Sequence, residues 1–294
     1  MKKIIYFIFL LSFCFSNETK KKNIKEINPL EDGIHLTFNM KGSLIPKVPS
    51  IVIIQEQIDE IKNKAKNFIV EPVTNNDIVI MNTSHGTLKL ILYPDKAPNH
   101  CNNFKRLANS GFYDKTLFHR VIPEFMIQGG DILSRDDNID NDGRGNPGWT
   151  IDQEFNDIEH KRGVLSMARG PDVNSAGSQF FICVASAKHL DNKYTAFGKV
   201  IDNENVLDII MSIPSQTRQI LISSKERIPE NALVEDWLEY TYNGKMFFIK
   251  IPKGMVKDKF EIDVKKKLKN KHRPHIPVII HKVRVVASKA NNEW

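Results

Sequence analysis

The chain has 294 residues, of which 41% are hydrophobic and 26% are charged. This balance excludes an intrinsically disordered protein, and the length is sufficient for one large domain or two small ones. The formal net charge of +7 is mildly basic, but no DNA- or RNA-binding motif accompanies it. We therefore do not expect nucleic acid as a partner, because scattered lysines more often only improve solubility.

Residues 1–16 have the pattern of a secretory signal peptide. A short basic start is followed by an apolar run at residues 4–15, which is too short to span a bilayer comfortably. Small residues near Ser16 predict cleavage before Asn17. We therefore expect an exported protein, located in the periplasm or cell envelope of a bacterium or in the secretory pathway of a eukaryote.

The cysteines leave a second interpretation of the N terminus open. Acylation of Cys14 would anchor the chain to a membrane, although Phe13 is bulky where lipoprotein processing prefers a small residue. After removal of a signal peptide, Cys101 and Cys183 remain, which is too few for a disulfide framework. Cys183 follows an apolar run, and this position is typical of a buried, inert thiol.

Residues 17–76 are predicted to form an N-terminal extension. Its first part, residues 17–30, is a polar and basic tether. Alternating apolar residues around Leu36 then predict a strand, and helical spacing of apolar residues predicts a helix at residues 55–68. No residue of this extension has an assigned chemical role.

The main domain is predicted to occupy residues 77–288. Residues 78–81 and 88–92 form a predicted hairpin, and helices are predicted at residues 99–109 and 204–211. Many short strands separated by glycine-containing turns are typical of an all-β barrel. The fold class expected from the pattern is therefore mostly β.

Specific chemistry is concentrated in a few stretches of this domain. The first places the guanidinium of Arg120 and the amide of Gln128 among large apolar side chains, and ends at a Gly-Gly pair that breaks the strand. The stretches are residues 118–131, 163–169, 174–183 and 189–200.

These stretches, in this order, closely resemble the cyclophilin family of peptidyl-prolyl cis/trans isomerases. The resemblance covers roughly residues 77–213 and resumes at roughly 274–287. The combination of residues 167–169 with 175–179 is more similar to compact bacterial-type members than to the cytosolic animal ones. The resemblance implies a closed eight-stranded barrel capped by two helices, and an isomerase acting on proline-containing polypeptides.

Prolyl isomerisation makes modest chemical demands. The peptide bond is partly double, with a rotation barrier of about 18–20 kcal/mol, and the twisted transition state has a pyramidal prolyl nitrogen that can accept a hydrogen bond. A catalyst needs a fixed donor beside that nitrogen and an apolar slot for the ring. No cofactor or metal is expected, and His272 and His275 are interpreted as solvated residues of a linker.

The resemblance also assigns roles to individual residues. Arg120, which stays charged at ordinary pH, is the expected donor to the prolyl nitrogen, and Gln128 is expected to hold Arg120 and the substrate backbone. The proline slot is assigned to Phe125, Met126, Phe181 and Leu190. The rest of the substrate-binding groove is assigned to Ala168, Arg169, Gln179, His189 and Tyr194.

Two positions differ from the pattern of cytosolic animal members, and a third lies beside the expected donor. His189 stands where cytosolic animal members carry tryptophan, so we expect weak or no binding of cyclosporin. Tyr194 stands where they carry histidine, as is usual in bacterial-type relatives. His119 precedes Arg120 on a strand and should point to the opposite face, so we interpret it as structural.

The chain departs from compact family members in an insertion at residues 214–273, before a last strand predicted at 277–286. Asn243-Gly244 between strand-like runs predicts a hairpin there. The basic run at residues 265–271 is interpreted as a solvated linker. We expect the insertion to lie on the surface, away from the proline groove, and residues 289–294 to form a short tail.

The sequence also allows a different class of function. The barrel could be a binding module or chaperone that captures proline-containing segments without significant catalysis. The presence of Arg120 favours a catalytic function over a binding module, because binding alone does not require a donor at the prolyl nitrogen. A monomer is favoured, although the sequence leaves the oligomeric state open.

Overall fold

The computed structural model describes residues 53–288, together with the backbone of two short strands nearer the N terminus. These strands, β1 (Leu36–Phe38) and β2 (Leu44–Pro46), pair antiparallel as a small sheet of their own. The predicted strand around Leu36 is thereby confirmed. The predicted signal peptide, the tether and the tail lie outside the described residues.

Eleven further strands follow in the described chain, and nine of them form one curled antiparallel sheet. The strands are β3 (Asp77–Thr83), β4 (Gly86–Leu92), β5 (Thr116–Leu117), β6 (Arg120–Ile122), β7 (Met126–Gly129), β8 (Val164–Met167), β9 (Phe180–Cys183), β10 (Ala196–Asp202), β11 (Trp237–Tyr242), β12 (Lys245–Lys250) and β13 (Ile279–Ala287). Their order in the large sheet is β5-β13-β3-β4-β10-β8-β9-β7-β6, while β11 and β12 form a separate hairpin.

The prediction of a closed eight-stranded barrel is not confirmed. The hydrogen-bonded sheet has nine strands and is open, since its edge strands β5 and β6 are not paired with each other. Only Phe118 and His119 separate these two strands along the chain. The chain changes partners at this point, because β5 pairs with β13 whereas β6 pairs with β7. This switch produces two short strands and an open edge.

Five α-helices accompany the strands within residues 53–288, where the sequence predicted two caps on the barrel. They are α1 (Gln55–Lys66), α2 (Pro98–Ser110), α3 (Asn205–Ser212), α4 (Gln216–Ser223) and α5 (Lys257–Lys269). Helix α2 ends at Gly111, whose φ of 86° is a left-handed conformation that glycine adopts without strain. In this part of the chain no helix has the length and apolar character needed to cross a membrane.

The main core combines the inward face of the sheet with helices α1, α2 and α3. Alternation decides which strand residues enter it: Val79 and Met81 of β3 are fully buried, while their neighbours are partly exposed. Phe104 of α2 lies at its centre, with its ring 5.5 Å from the rings of Phe180 and Phe197. Helix α1 thus belongs to the packing of the main core.

Both described cysteines are unpaired and buried, as expected. Burial raises the pKa of Cys101 and of Cys183 to about 12. A thiol with so high a pKa carries little of the reactive thiolate at neutral pH. The interpretation of Cys183 as an inert core thiol is consistent with this environment.

The 214–273 segment lies between α3 and β13 and has a small core of its own. Leu238 and Ile249, which face each other across the β11–β12 hairpin, pack against Phe260, Val264 and Leu268 of α5. The hairpin prediction is confirmed, and both turn residues between the strands have positive φ, as a type I′ turn requires. The apolar residues of the hairpin therefore bury against helix α5 of the same segment.

The two ends of this segment lie side by side. Ser215 and Pro274 form an antiparallel bridge, and the backbone N–H of Gln216 donates to the carbonyl of Arg273 at 2.9 Å. The interpretation of residues 265–271 as a linker is wrong for most of that run, because α5 continues to Lys269. Its apolar residues at every fourth position explain why a helix forms there.

Candidate active site

The site is built on the outward face of strands β6, β7 and β9. Arg120 lies opposite Gln128 in the β6–β7 pair, and Gln128 lies opposite Phe181 in the β7–β9 pair. These three residues therefore form one row across the sheet and share one face. Their neighbours Val121, Ile127 and Ile182 point to the other face and enter the main core.

A tight turn between β6 and β7 places Phe125 at the edge of this row. The N–H of Phe125 donates to the carbonyl of Ile122 at 3.1 Å, closing a turn with Pro123 and Glu124 at its centre. Glu124 has a φ of 61°. Proline followed by a residue with positive φ is the pattern of a type II turn. The Pro-Glu pair thus reverses the chain without lengthening either strand.

A cleft of about 730 Å³ opens over the outward face. Ten of the eleven predicted site residues line it: Arg120, Phe125, Met126, Gln128, Ala168, Arg169, Phe181, His189, Leu190 and Tyr194. The eleventh, Gln179, lines an adjoining cavity of about 250 Å³, which shares Gln128, Ala168 and Arg169 with the first. The structure therefore brings together in one groove all the residues that were selected from the sequence.

The apolar part of the groove is a second hydrophobic cluster, separate from the main core. Met126, Phe181 and Leu190 are buried in it, and Phe125 and Ala168 pack against it while remaining partly exposed. A partly exposed apolar depression of this kind is suited to a small nonpolar ring.

A chain of hydrogen bonds holds the polar part of the groove. Arg120 Nη1 donates to Gln128 Oε1 at 3.0 Å, and Gln128 Nε2 donates to Gln179 Oε1 at 2.9 Å. Gln179 Nε2 in turn donates to the carbonyls of Gly143 and Gly145, at 3.0 and 2.9 Å. Both glutamine side chains are thereby oriented, and the guanidinium of Arg120 is tied to the backbone of a neighbouring loop.

The guanidinium of Arg120 is half-buried beside the apolar cluster. Burial lowers its pKa from the ordinary value, an effect that Tyr194 opposes. An arginine side chain remains protonated in proteins, so Arg120 keeps its charge. Within residues 53–288 its one hydrogen-bond partner is Gln128, which leaves other N–H groups able to donate.

Arg169 and His189 stand on the other side of the groove. The guanidinium of Arg169 donates to the carbonyls of Gly170 and Lys193, and its central carbon lies 4.6 Å from the ring centroid of Tyr194. The exposed ring of His189 lies 5.3 Å from that of Phe125. Arg169 is thus held by backbone carbonyls and by an aromatic face, whereas His189 lies exposed against the ring of Phe125.

His119 also lines the cleft, next to Arg120. The expectation that it faces away from the groove is therefore wrong, although its side chain is almost completely buried. Burial, with smaller contributions from the charges of Arg273 and Arg120, lowers the pKa of His119 to about 4. Its imidazole is neutral at physiological pH, which agrees with a structural interpretation.

Several cleft residues were not selected from the sequence. Asp142 and Gly143 come from a loop without a sequence motif, whereas Lys269 and residues 270–272 come from the end of the 214–273 segment. The expectation that this segment lies away from the groove is therefore wrong for its last part. Among residues 53–288 no group of three or more His, Cys, Asp or Glu side chains could hold a metal ion.

Comparison with known proteins agrees with this geometry. The sequence model of the family described as "Cyclophilin type peptidyl-prolyl cis-trans isomerase/CLD" matches residues 78–231. A peptidyl-prolyl cis-trans isomerase of Synechococcus elongatus is 42% identical over 139 residues, which cover 47% of this chain and 90% of the relative. A peptidyl-prolyl cis-trans isomerase-like 1 protein of Rhizopus delemar is 43% identical, over 46% of this chain and 80% of the relative.

A solved structure supports the same assignment. The crystal structure of a cyclophilin type peptidyl-prolyl cis-trans isomerase of Cryptosporidium parvum matches with a TM-score of 0.50 at 26% identity, covering 72% of this chain and 99% of that one. The fold, the site and these relatives define a peptidyl-prolyl cis-trans isomerase. The chain belongs to the cyclophilin-type family of these enzymes.

Because His119 is buried and has a low pKa, we expect the folded protein to lose stability in acid. Its folded pKa of about 4 lies below the ordinary value of 6.5, so the unfolded chain binds the proton first as the pH falls. The stability that the neutral imidazole contributes is complete above pH 6.5 and decreases by about 3 kcal/mol by pH 4. Urea unfolding at pH 7, 5.5 and 4 should show that His119→Gln removes this part of the pH dependence.

The exposed His281→Gln provides the matched control for this comparison and should keep the wild-type pH dependence. An identical pH dependence in the wild type and in His119→Gln would contradict the assignment.

Proposed function

We propose that Arg120 donates a hydrogen bond to the prolyl nitrogen of a polypeptide substrate whose proline ring occupies the slot formed by Phe125, Met126, Phe181 and Leu190. The observation that carries this proposal is the position of the Arg120 guanidinium, hydrogen-bonded to Gln128 and facing the same cleft as the apolar cluster.

Rotation about the prolyl bond changes where the nitrogen lone pair lies. The planar ground state delocalises the nitrogen lone pair into the carbonyl, whereas the twisted state localises it on nitrogen. A donor fixed beside that nitrogen therefore binds the transition state more strongly than either ground state, which is the condition for catalysis. Because the donor is already oriented in a sheltered groove, little reorganisation is needed when charge builds up on the nitrogen.

Gln128 has two functions in this proposal. Its carbonyl oxygen accepts from Arg120, and one amide hydrogen goes to Gln179. A primary amide has a second hydrogen, which is available to a carbonyl of the substrate backbone. Ala168, Arg169 and Tyr194 form the adjoining wall along which the rest of the peptide lies.

The substrates that we propose are unfolded or flexible polypeptides outside the cytoplasm, with a monomeric enzyme acting on them. Support for export comes from the basic start and the apolar run at residues 4–15. The similarity to compact bacterial-type members stays a prediction, since bacterial and fungal relatives are about equally identical to this chain.

Replacing Arg120 by alanine should lower kcat/KM by at least two orders of magnitude, or about 3 kcal/mol, because the donor to the prolyl nitrogen is lost. The measurement is a protease-coupled assay on a proline tetrapeptide, with folding checked by circular dichroism. The exposed Arg227→Ala serves as control and should retain wild-type activity. A folded Arg120→Ala enzyme with normal activity would show that the donor assignment is wrong.

Cyclosporin should bind weakly, at least tenfold less tightly than to His189→Trp. An indole adds apolar area and a hydrogen-bond donor beside Phe125, together worth about 1–3 kcal/mol. Titration calorimetry on the wild type and on His189→Trp measures the difference. Nanomolar binding by the wild type would contradict the role given to His189.

Export can be tested directly on the expressed chain. If residues 1–16 are a signal peptide, the mature protein begins at Asn17 and leaves the cytoplasm. Fractionation followed by mass spectrometry of the N terminus should show this. A lipid-modified Cys14 at the mature N terminus would favour membrane anchoring, and an intact Met1 in the cytoplasm would exclude both forms of export.

A further inference from the structure

The groove has a wall that comes from the 214–273 segment. Helix α5 ends at Lys269, and residues 270–272 then follow the same cleft that contains Arg120. A substrate in this cleft therefore meets side chains that lie outside the nine-stranded sheet, in the segment that joins α3 to β13.

Backbone and side-chain hydrogen bonds fix this wall in position. The N–H of Val121 donates to the carbonyl of His272 at 2.8 Å, so the returning chain covers the open edge of β6. Asn270 Nδ2 donates to the carbonyl of Ile139 at 3.3 Å. The wall is thus attached both to the strand that carries Arg120 and to a neighbouring loop.

Two ion pairs complete the attachment to that loop. Arg273 pairs with Asp142, and both side chains are almost completely buried. Lys266 pairs with Asp140, with a distance of 2.9 Å from Nζ to the carboxylate. Because Arg273 compensates the charge of Asp142, this carboxylate does not make the cleft acidic.

The charged side chains that remain along the cleft are of one sign. Among the described residues that line the cleft, Asp142 is the sole carboxylate, and Arg273 pairs with it. The cationic side chains of the lining are Arg120, Arg169, Lys269 and Lys271. Two of these four positive charges come from the wall.

The two lysines of the wall differ from the others in the same basic run. Residues 265–267 each pair with a carboxylate, whereas Lys269 and Lys271 have no ion-pair partner within residues 53–288. Lys269 also lies in the last turn of α5, whose partial negative charge attracts cations without forming an ion pair. The charges of Lys269 and Lys271 are therefore available to a ligand.

We propose that Lys269 and Lys271 make the enzyme selective for polypeptides that carry an aspartate or glutamate close to the isomerised proline. This inference rests on the proposed function, because it requires the proline to occupy the slot beside Arg120. A carboxylate of the substrate then approaches two unpaired ammonium groups, while a lysine at the same position is repelled. Both lysines are exposed at the rim of the cleft, so each interaction is modest and is weakened by salt.

The test uses three peptide series that differ only in one residue, placed one or two positions before or after the proline. That residue is glutamate, glutamine or lysine, and isomerisation is followed by exchange NMR, which does not depend on the specificity of a coupling protease. Wild-type enzyme should turn over the best glutamate peptide about fivefold faster than its glutamine counterpart at low salt, with a smaller ratio at high salt. The lysine peptide should be slowest.

Charge reversal identifies the residues responsible. The double variant Lys269→Glu and Lys271→Glu should lose the glutamate preference and favour the lysine peptide. The double variant Lys257→Glu and Lys259→Glu has the same net charge, changes exposed lysines of the same helix outside the cleft, and should keep the wild-type ratios. Melting curves of both variants verify that α5 remains folded, and neutral replacements by glutamine should give an intermediate ratio.

The outcomes separate this inference from the proposed function. Equal turnover of all peptides by wild type, with activity lost in Arg120→Ala, would overturn the inference and leave the role of Arg120 intact. A glutamate preference that survives charge reversal at Lys269 and Lys271 would also overturn it. If no peptide is turned over by wild type, the proposed function fails and the inference fails with it.

Discussion

The two-residue periodicity of a β-strand is the constraint on which this site depends. Along β6, β7 and β9 every second side chain enters the core, and the intervening side chains form the groove. The same alternation that buries Val121, Ile127 and Ile182 therefore presents the catalytic candidates on the other face. A one-residue slip in register would exchange these faces, so the packing of the core also specifies the position of the site.

Arg120 is the expected donor, and its side chain needs support from outside strand β6. β6 has only three residues and lies at the edge of the sheet, where fewer backbone hydrogen bonds restrain it. The contacts from Arg120 through Gln128 to Gln179, and from Val121 to His272, supply restraint on both sides. Orientation of a polar side chain by such surrounding contacts is what a preorganised donor requires.

The sequence selected the residues that line the groove because they lie within contiguous motifs, either on strands β6, β7 and β9 or in the turns and loops beside the strands. It predicted the sheet less well, since the change of partners at Phe118 and His119 is a property of tertiary packing that no local pattern reports. The end of the 214–273 segment was missed for another reason. Its lysines suggested solvation, although Phe260, Val264 and Leu268 recur at every fourth position and indicate a helix with one buried face.

The ion pair between Asp142 and Arg273 fixes the position of the returning chain and contributes little to the stability of the fold. Burial raises the pKa of Asp142 to about 7, with smaller contributions from Asp131 and Asp136, although Arg273 opposes the change. The net contribution of such a pair to stability is small, whereas the loss of one partner leaves an uncompensated buried charge. Other positions of the returning chain would separate these two charges. The contact therefore selects the arrangement in which residues 270–272 face the cleft.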